Sequence, residues 1–284
     1  MKPAAFSYVK PATLGDALGL LSTHTGDAQI LAGGQSLVPT LNMRLSAPDL
    51  LIDINGLEEL SGVKLEGNHI KIGALTRHVE IEKSSVIAEH CPLIALAMPH
   101  IAHPAIRNRG TFGGSIALAD PAAELPACIC ALEAKIEVVG KGGERKIAAK
   151  DFFKDLYETD LKDGEIVTAV EVPVVKPKTK LAFDELSRRH GDYAMAGLAI
   201  NAEMDDKKIE NINICFFAIS ATPVLAEGAA HILNNGIVDD VSLKKAMEQL
   251  ESDLDPLPDL YASRALKMHY AKELLKRNLG NWVS

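Results

Sequence analysis

Two short segments hold the residue types that grip a phosphate. Leu31-Ala32-Gly33-Gly34-Gln35-Ser36-Leu37 and Arg109-Gly110-Thr111-Phe112-Gly113-Gly114-Ser115-Ile116 each set adjacent glycines beside a hydroxyl residue. Without a β-carbon, glycine lets main-chain N–H groups come close to an oxyanion, and a Ser or Thr hydroxyl adds a donor with little bulk. Two such loops brought together could clamp a diphosphate. Singly, each paired glycine reads first as a turn; the pair is the more specific signal.

Other dinucleotide and nucleotide motifs fail on spacing. Asp53 ends a strand twenty residues after Gly33, as in a nicotinamide-binding unit, but Gln35 stands where G-x-G-x-x-G needs its second glycine. Taking Gly34 as the middle glycine instead puts Leu37 at the last position, and Pro39 leaves too little helix for a full crossover. A P-loop would need a Gly-Lys-Ser/Thr ending, which is missing. His100 and His103 are three apart but bracketed by Pro99 and Pro104, with no third ligand nearby, which argues against a metal site. Cys91, Cys128, Cys130 and Cys215 lack zinc or iron-sulfur spacing and read as buried small hydrophobes. Arg107 and Arg109 could meet a phosphate, an ion-pair partner or another subunit. Tyr193 could stack on a ring or end a buried strand. Asp205, Asp206, Lys207 and Lys208 read as a solvated turn.

The elements that must position these loops follow from periodicity. Thr13 caps a helix over Leu14–Thr23, with Asp16 in its first turn and Leu14, Ala17, Leu18 and Leu21 on one face. Ala28–Ala32 and Leu50–Ile54 read as strands around a short helical turn at Leu37–Leu45. Val63–Leu65 and Ile70–Ile72 form a hairpin about Gly67 and Asn68. Thr76–Ile101 is helical, interrupted at Pro92 and Pro99, and Pro121–Leu132 is a helix. Lys135–Val139, Arg145–Ile147 and Ile166–Val172 are strands. The run Pro173–Lys180 has two prolines, three lysines and little to bury, which places a domain boundary there. Beyond it lie strands at Leu181–Leu186, Met195–Ala202 and Ile209–Ala218, the last with Ile212, Ile214 and Phe216 on one face. Three helices follow, the last opening near Pro258, carrying Tyr261, Ala265, Met268, Leu275 and Leu279 on one stripe, and stopping at Gly280.

At 284 residues the chain has room for two domains, and 47% hydrophobic with 24% charged residues is ordinary for a globular protein. Thirty basic against 38 acidic residues give a net charge of -8, with no basic run to follow a nucleic-acid backbone. No apolar run approaches the roughly 20 residues that cross a bilayer, and the amino terminus does not read as a signal peptide. Cytoplasm is the expected compartment, with membrane association through a larger complex left open.

With these residues in place the sequence resembles a known family. The two loops, the run His103-Pro104-Ala105-Ile106-Arg107-Asn108-Arg109-Gly110 and the segment Asp120-Pro121-Ala122-Ala123-Glu124 resemble the flavin-binding medium subunit of the molybdenum hydroxylases. Members include the medium subunits of carbon monoxide, nicotine and quinoline dehydrogenases and the flavin domain of xanthine dehydrogenase. The resemblance covers essentially the whole chain, from Phe6-Ser7-Tyr8 to Ser187-Arg188-Arg189-His190-Gly191-Asp192-Tyr193.

The resemblance implies an α+β protein. It would pair a vanillyl-alcohol-oxidase-type (PCMH-like) FAD-binding domain of two α/β subdomains with a C-terminal α+β domain holding a three-stranded antiparallel sheet and helices. The boundaries expected are residues 1–176 for the FAD domain, with subdomains of about 1–56 and 57–176, and 177–284 for the second. Ala32, Gly33, Gly34, Gln35 and Ser36, with Thr111, Phe112, Gly113, Gly114 and Ser115, would supply N–H and hydroxyl donors to the diphosphate. Asp120, Glu124, Val167, Asp192 and Tyr193 would lie at the flavin. Two departures stand out: Glu124 replaces a shorter Asp of the xanthine dehydrogenase domain, and Asp184 takes the place of a lysine near the ring, which would alter the field there.

No nucleophile-plus-base constellation is visible, and an electron-transfer flavin subunit needs none. The implied partners are a small subunit with two 2Fe-2S clusters and a large subunit with molybdenum on a pterin cofactor, assembled as a dimer of heterotrimers. Electrons would pass from the clusters to FAD and on to an external acceptor. The sparse cysteines argue against the benzoyl-CoA reductase branch, whose flavin subunit carries an extra cluster. Two other classes stay open: a cofactor-free scaffold that kept the fold, and a stand-alone flavin oxidase or reductase.

Overall fold

The computed structural model describes residues 2–280 and Trp282. Three sheets, each with its own apolar cluster, organise the chain.

The first sheet is parallel. Strands β1 (Ser7–Val9) and β2 (Ala28–Leu31) flank β3 (Leu50–Asp53), with α1 (Leu14–Thr23) and α2 (Leu37–Asn42) in the crossovers. Thr13 caps α1 by accepting the Asp16 N–H at 3.1 Å, as the sequence predicts. The central strand β3 is buried throughout because both its edges are paired and helix packing covers it.

The second sheet has the order β4-β5-β10-β6-β7 and is antiparallel throughout, so this unit is α+β in character rather than the α/β expected. Its strands are β4 (Val63–Glu66), β5 (His69–Gly73), β6 (Lys135–Gly140), β7 (Gly143–Ala148) and β10 (Ile166–Pro173). The two-residue turn after Glu66, with Gly67 at φ +65°, forces the first hairpin. Between β5 and β6 runs a chain of short helices: α3 (His78–Glu82), α4 (Ser85–His90), α5 (Pro92–Ala97), α6 (Pro104–Arg107), α7 (Phe112–Leu118) and α8 (Glu124–Ala131). Prolines at the first turn of α5 and in the 3-10 turn Met98–His100 interrupt Thr76–Ile101, and a further proline opens α6. A short helix α9 (Ala149–Phe152) and the small ribbon β8 (Phe153–Asp155) and β9 (Glu158–Thr159) precede β10.

The third sheet is built from β11 (Thr179–Ser187), β12 (Ala194–Asp205) and β13 (Lys208–Phe217), antiparallel, with the short β14 (Val224–Leu225) and β15 (Gly236–Ile237) added to β13. One face, including Ala199, Cys215 and Phe217, joins the core under α5 and α8. The other, with Leu198, Ile200, Ile212, Ile214 and Phe216, packs on α10 (Glu227–Leu233), α11 (Asp240–Asp253) and α12 (Arg264–Gly280). The period-2 alternation read from the sequence is thus realised on both faces. In α12 the stripe differs from the expectation. The helix begins at Arg264, Tyr261 is exposed ahead of it, Ala265 faces out, and Lys267, Met268, Ala271, Leu274, Leu275 and Leu279 are buried. Gly280 is its final residue rather than the one beyond it. Among the described residues no helix is long and apolar enough to cross a membrane.

Candidate functional site

The glycine loops are placed by strand and helix ends. The first follows β2 and enters α2; the second joins α6 to α7. They touch. A β-carbon on Gly33 would lie 2.5 Å from the Arg109 carbonyl oxygen and 2.9 Å from the Gly110 Cα, so only glycine permits this approach. Gly34 has φ +71°, the turn that aims the following N–H groups.

A polar strap of three side chains fixes the pair. Asn55 Nδ2 donates to the Ala32 carbonyl at 2.7 Å, Arg77 Nη2 donates to Asn55 Oδ1 at 2.5 Å, and Arg77 Nη1 donates to the Arg109 carbonyl. Asp53 holds Asn55 at 2.6 Å and accepts the Tyr8 hydroxyl at 2.5 Å. The Tyr8 hydroxyl and the amide groups of Asn55 hold the Asp53 carboxyl below the usual carboxylate range against the opposing effect of its burial. Asp53, which mimics a ribose-binding acid in the sequence, is therefore part of this strap. Asn55 and Arg77 carry no motif of their own, and sequence reasoning passed over them.

The two loops offer different donors. Among the described residues, the N–H groups of Gly33, Gly34, Gln35, Ser36 and Leu37 have no protein acceptor, so the first loop presents a row of free main-chain donors. In the second, Phe112 N–H donates to Thr76, Gly113 N–H to Ala74, Gly114 N–H to Thr111 Oγ1 at 3.2 Å and Ser115 N–H to the Thr111 carbonyl. These four N–H groups are thus spent within the protein, and what the loop can offer is the Thr111 N–H, which has no protein acceptor among the described residues, with the Thr111 and Ser115 hydroxyls. Gly113 serves packing, because a β-carbon there would overlap Ala74.

Both loops open into a cavity of about 700 Å³, within the roughly 300–1,000 Å³ usual for cofactor clefts. Ala32 to Ser36, Thr111, Gly113, Gly114, Ser115, Asp120, Glu124, Val167, Asp192 and Tyr193 all line it. Phe112 does not: its ring is fully buried in the core beneath α7. Val167 reaches the wall beside an irregularity in β10, and Asp192 and Tyr193 arrive on the β11–β12 connection. That connection is seated by Gly191, at φ +82°, whose α-carbon packs on the Ala102 carbonyl.

At the far end of α7 the wall becomes acidic. Asp120 is held above the usual range by burial, with the Ala122 N–H and the Tyr157 hydroxyl opposing. Glu124, the first residue of α8, is only 8% exposed and is pushed up to about 8, chiefly by burial. At the loop end of the cleft, beside Gly110, His78 is 5% exposed, and burial drops it to about 4.

Other candidates resolve structurally. Arg107 is buried and forks onto Glu82 at 3.0 and 3.2 Å, the ion-pair reading. His100 pairs with Glu185 at 3.4 Å, and the described residues hold no metal-ligating cluster. All four cysteines are free and buried. Asp184, expected near the ring, does not line the cavity. Its carboxylate binds Arg277 and Asn278 of α12 at 2.6 and 2.9 Å, because alternation along β11 turns it to the opposite face.

Residues 4–175 match the family model described as the FAD binding domain in molybdopterin dehydrogenase, and residues 181–281 match the CO dehydrogenase flavoprotein C-terminal domain. The chain is 39% identical to the 6-hydroxypseudooxynicotine dehydrogenase complex subunit alpha of Paenarthrobacter nicotinovorans over 98% of its own length and 95% of that protein's. It is 34% identical to the carbon monoxide dehydrogenase medium chain of Hydrogenophaga pseudoflava over 98% and 97% of the two chains. Among solved structures, carbon monoxide dehydrogenase from the same organism superposes with a TM-score of 0.96 at 33% identity over 100% of both chains. Quinoline 2-oxidoreductase from Pseudomonas putida 86 gives 0.93 at 34% over 99% and 98%. The chain belongs to the family of FAD-binding medium subunits of the molybdopterin dehydrogenases.

Proposed function

We propose that this chain is the FAD-carrying electron-transfer subunit of a molybdenum hydroxylase. The observation that carries the reading is the contact between the two glycine loops, which leaves one row of unspent main-chain donors facing a cleft of cofactor size. Residues 1–176 would form the vanillyl-alcohol-oxidase-type FAD domain, with subdomains about 1–56 and 57–176, and residues 177–284 the domain that closes on the ring.

In this reading Gly33 to Ser36 cradle the diphosphate through N–H groups, and Thr111 and Ser115 add hydroxyl donors. Arg77 and Asn55 hold the loops at their spacing. Asp120, Glu124, Val167, Asp192 and Tyr193 surround the ring, one α7 length, about 10 Å, from the diphosphate. Bound FAD would take electrons from iron-sulfur clusters on a small partner subunit and pass them to an external acceptor. Substrate oxidation itself would belong to molybdenum on a large partner, in a dimer of heterotrimers.

The test is purification of the native assembly. A flavin absorption spectrum, release of FAD on denaturation, and co-purifying iron-sulfur and molybdenum subunits are the expected results. A colourless protein, isolated alone, that takes up no added FAD would overturn the reading.

A further inference from the structure

Glu124 has an unusual setting for a carboxyl group. It lies in the cavity wall, 92% of its surface is covered, and among the described residues no lysine or arginine pairs with it. Its carboxyl has no side-chain hydrogen bond within the protein, yet it reaches the cleft. The titratable groups facing it are mostly acidic or neutral. Glu185 comes from β11, Asp120 from the turn before α8, Tyr193 from the β11–β12 connection, and Cys128 from its own helix. Against these stand only its own main-chain N–H and His100, which is itself engaged by Glu185 at 3.4 Å. Both Glu185 oxygens are sealed from solvent, so little water reaches the groups behind Glu124.

A carboxyl group in these conditions keeps its proton unless a cation is supplied. We propose that Glu124 meets the bound flavin ring as a neutral carboxylic acid, donating its proton in a hydrogen bond to a carbonyl oxygen or unprotonated ring nitrogen at the ring edge. The inference rests on the FAD reading. It reverses the role that a carboxylate suggests, since an ionised Glu124 could only accept a hydrogen bond, from a ring N–H, whereas the neutral acid can donate one to the ring's acceptors. The position of Glu124 supports assignment to the ring rather than to the diphosphate. The loops sit at the N-terminal end of α7, whereas Glu124 follows its C-terminal end with Asp120 and Tyr193. Pushed up to about 8 by burial, the carboxyl changes charge within reach of ordinary buffers.

The experiment measures FAD binding to the full-length apoprotein by flavin fluorescence, from about pH 6 to about pH 10, for the natural chain, Glu124→Gln and Glu124→Leu. The natural chain should bind with constant affinity to about pH 8 and then weaken up to tenfold per pH unit. The Gln variant, a permanently neutral donor, should match it at pH 7 and stay flat. The Leu variant should bind at least tenfold more weakly at pH 7. ADP affinity should be the same in all three, and the infrared carbonyl band of a protonated carboxyl should vanish in the Gln variant. A flat profile for the natural chain, or a Gln variant tenfold weaker at pH 7, would overturn the inference while leaving the FAD reading intact. Failure of the natural chain to bind FAD at any pH would overturn the FAD reading itself, and this inference with it.

Discussion

Gly33 and Arg109 meet across the cleft, with room for no atom between the glycine α-carbon and the arginine carbonyl oxygen. Gly33→Ala therefore cannot be absorbed by a rotamer change, because its clash is with backbone. The loops must separate by roughly an ångström, which shifts every donor on the first loop. The expected result is a folded protein with an unchanged circular dichroism spectrum and FAD affinity lower by about tenfold to a hundredfold, about 1.4–2.7 kcal/mol. Gly114→Val acts differently. Its β-carbon would fall 2.6 Å from Thr111 Oγ1, displacing the α7 cap and the hydroxyl together, and should leave a folded, colourless protein.

Arg77 joins the loops through Asn55 and the Arg109 carbonyl. Arg77→Met keeps much of the volume and removes both charge-assisted bonds, leaving the part-buried Asn55 Oδ1 without its donor while the exposed Arg109 carbonyl turns to water. A loss of about 1.5–3 kcal/mol in urea unfolding is expected, together with weaker FAD binding. An Arg77→Met protein that unfolds at the same urea concentration as its parent would show that the strap holds nothing.

His78 sets an acid limit. Burial keeps its imidazole neutral to about pH 4 in the folded protein, while in the unfolded chain it takes a proton near pH 6.5. Stability due to the neutral ring is complete above about pH 6.5 and is lost as pH falls toward 4, since only the unfolded state binds the proton. The full effect is at most about 3 kcal/mol. Urea midpoints of the natural chain should fall more steeply between these pH values than those of His78→Phe. Parallel curves would sink the assignment.

Asp184→Lys sets an ammonium group beside Arg277. The exchange of attraction for repulsion should lower the melting temperature by a few degrees without changing FAD affinity, because the position lies off the cleft. A changed affinity with an unchanged melting temperature would return Asp184 to the ring.

Much of this was legible in the sequence because local chemistry decided it. The Thr13 cap, the Gly67-Asn68 hairpin and the alternation of Ile212, Ile214 and Phe216 each report a short-range rule that packing did not override. The glycine loops were visible as a pair, but not their division of labour. Whether an N–H is free or spent depends on Ala74 and Thr76, neighbours far along the chain. Phe112 shows the same dependence: inside a glycine motif, its ring turns into the core and its N–H goes to Thr76. Asn55 and Arg77 lay hidden because a strap across two loops has no period. Asp184 was assigned by position in the family, while strand alternation sent it to the other face of β11.

The burial of Cys91, Cys128, Cys130 and Cys215 has a bearing on longevity. Burial pushes the Cys91 thiol up to about 12, and Cys128 and Cys215 well above the ordinary range, so these three are not available as nucleophilic thiolates. A protein that handles single electrons in air is exposed to peroxide, and sulfur is the first target of such damage. By keeping all four thiols beneath the surface, this chain leaves such an oxidant little sulfur to reach.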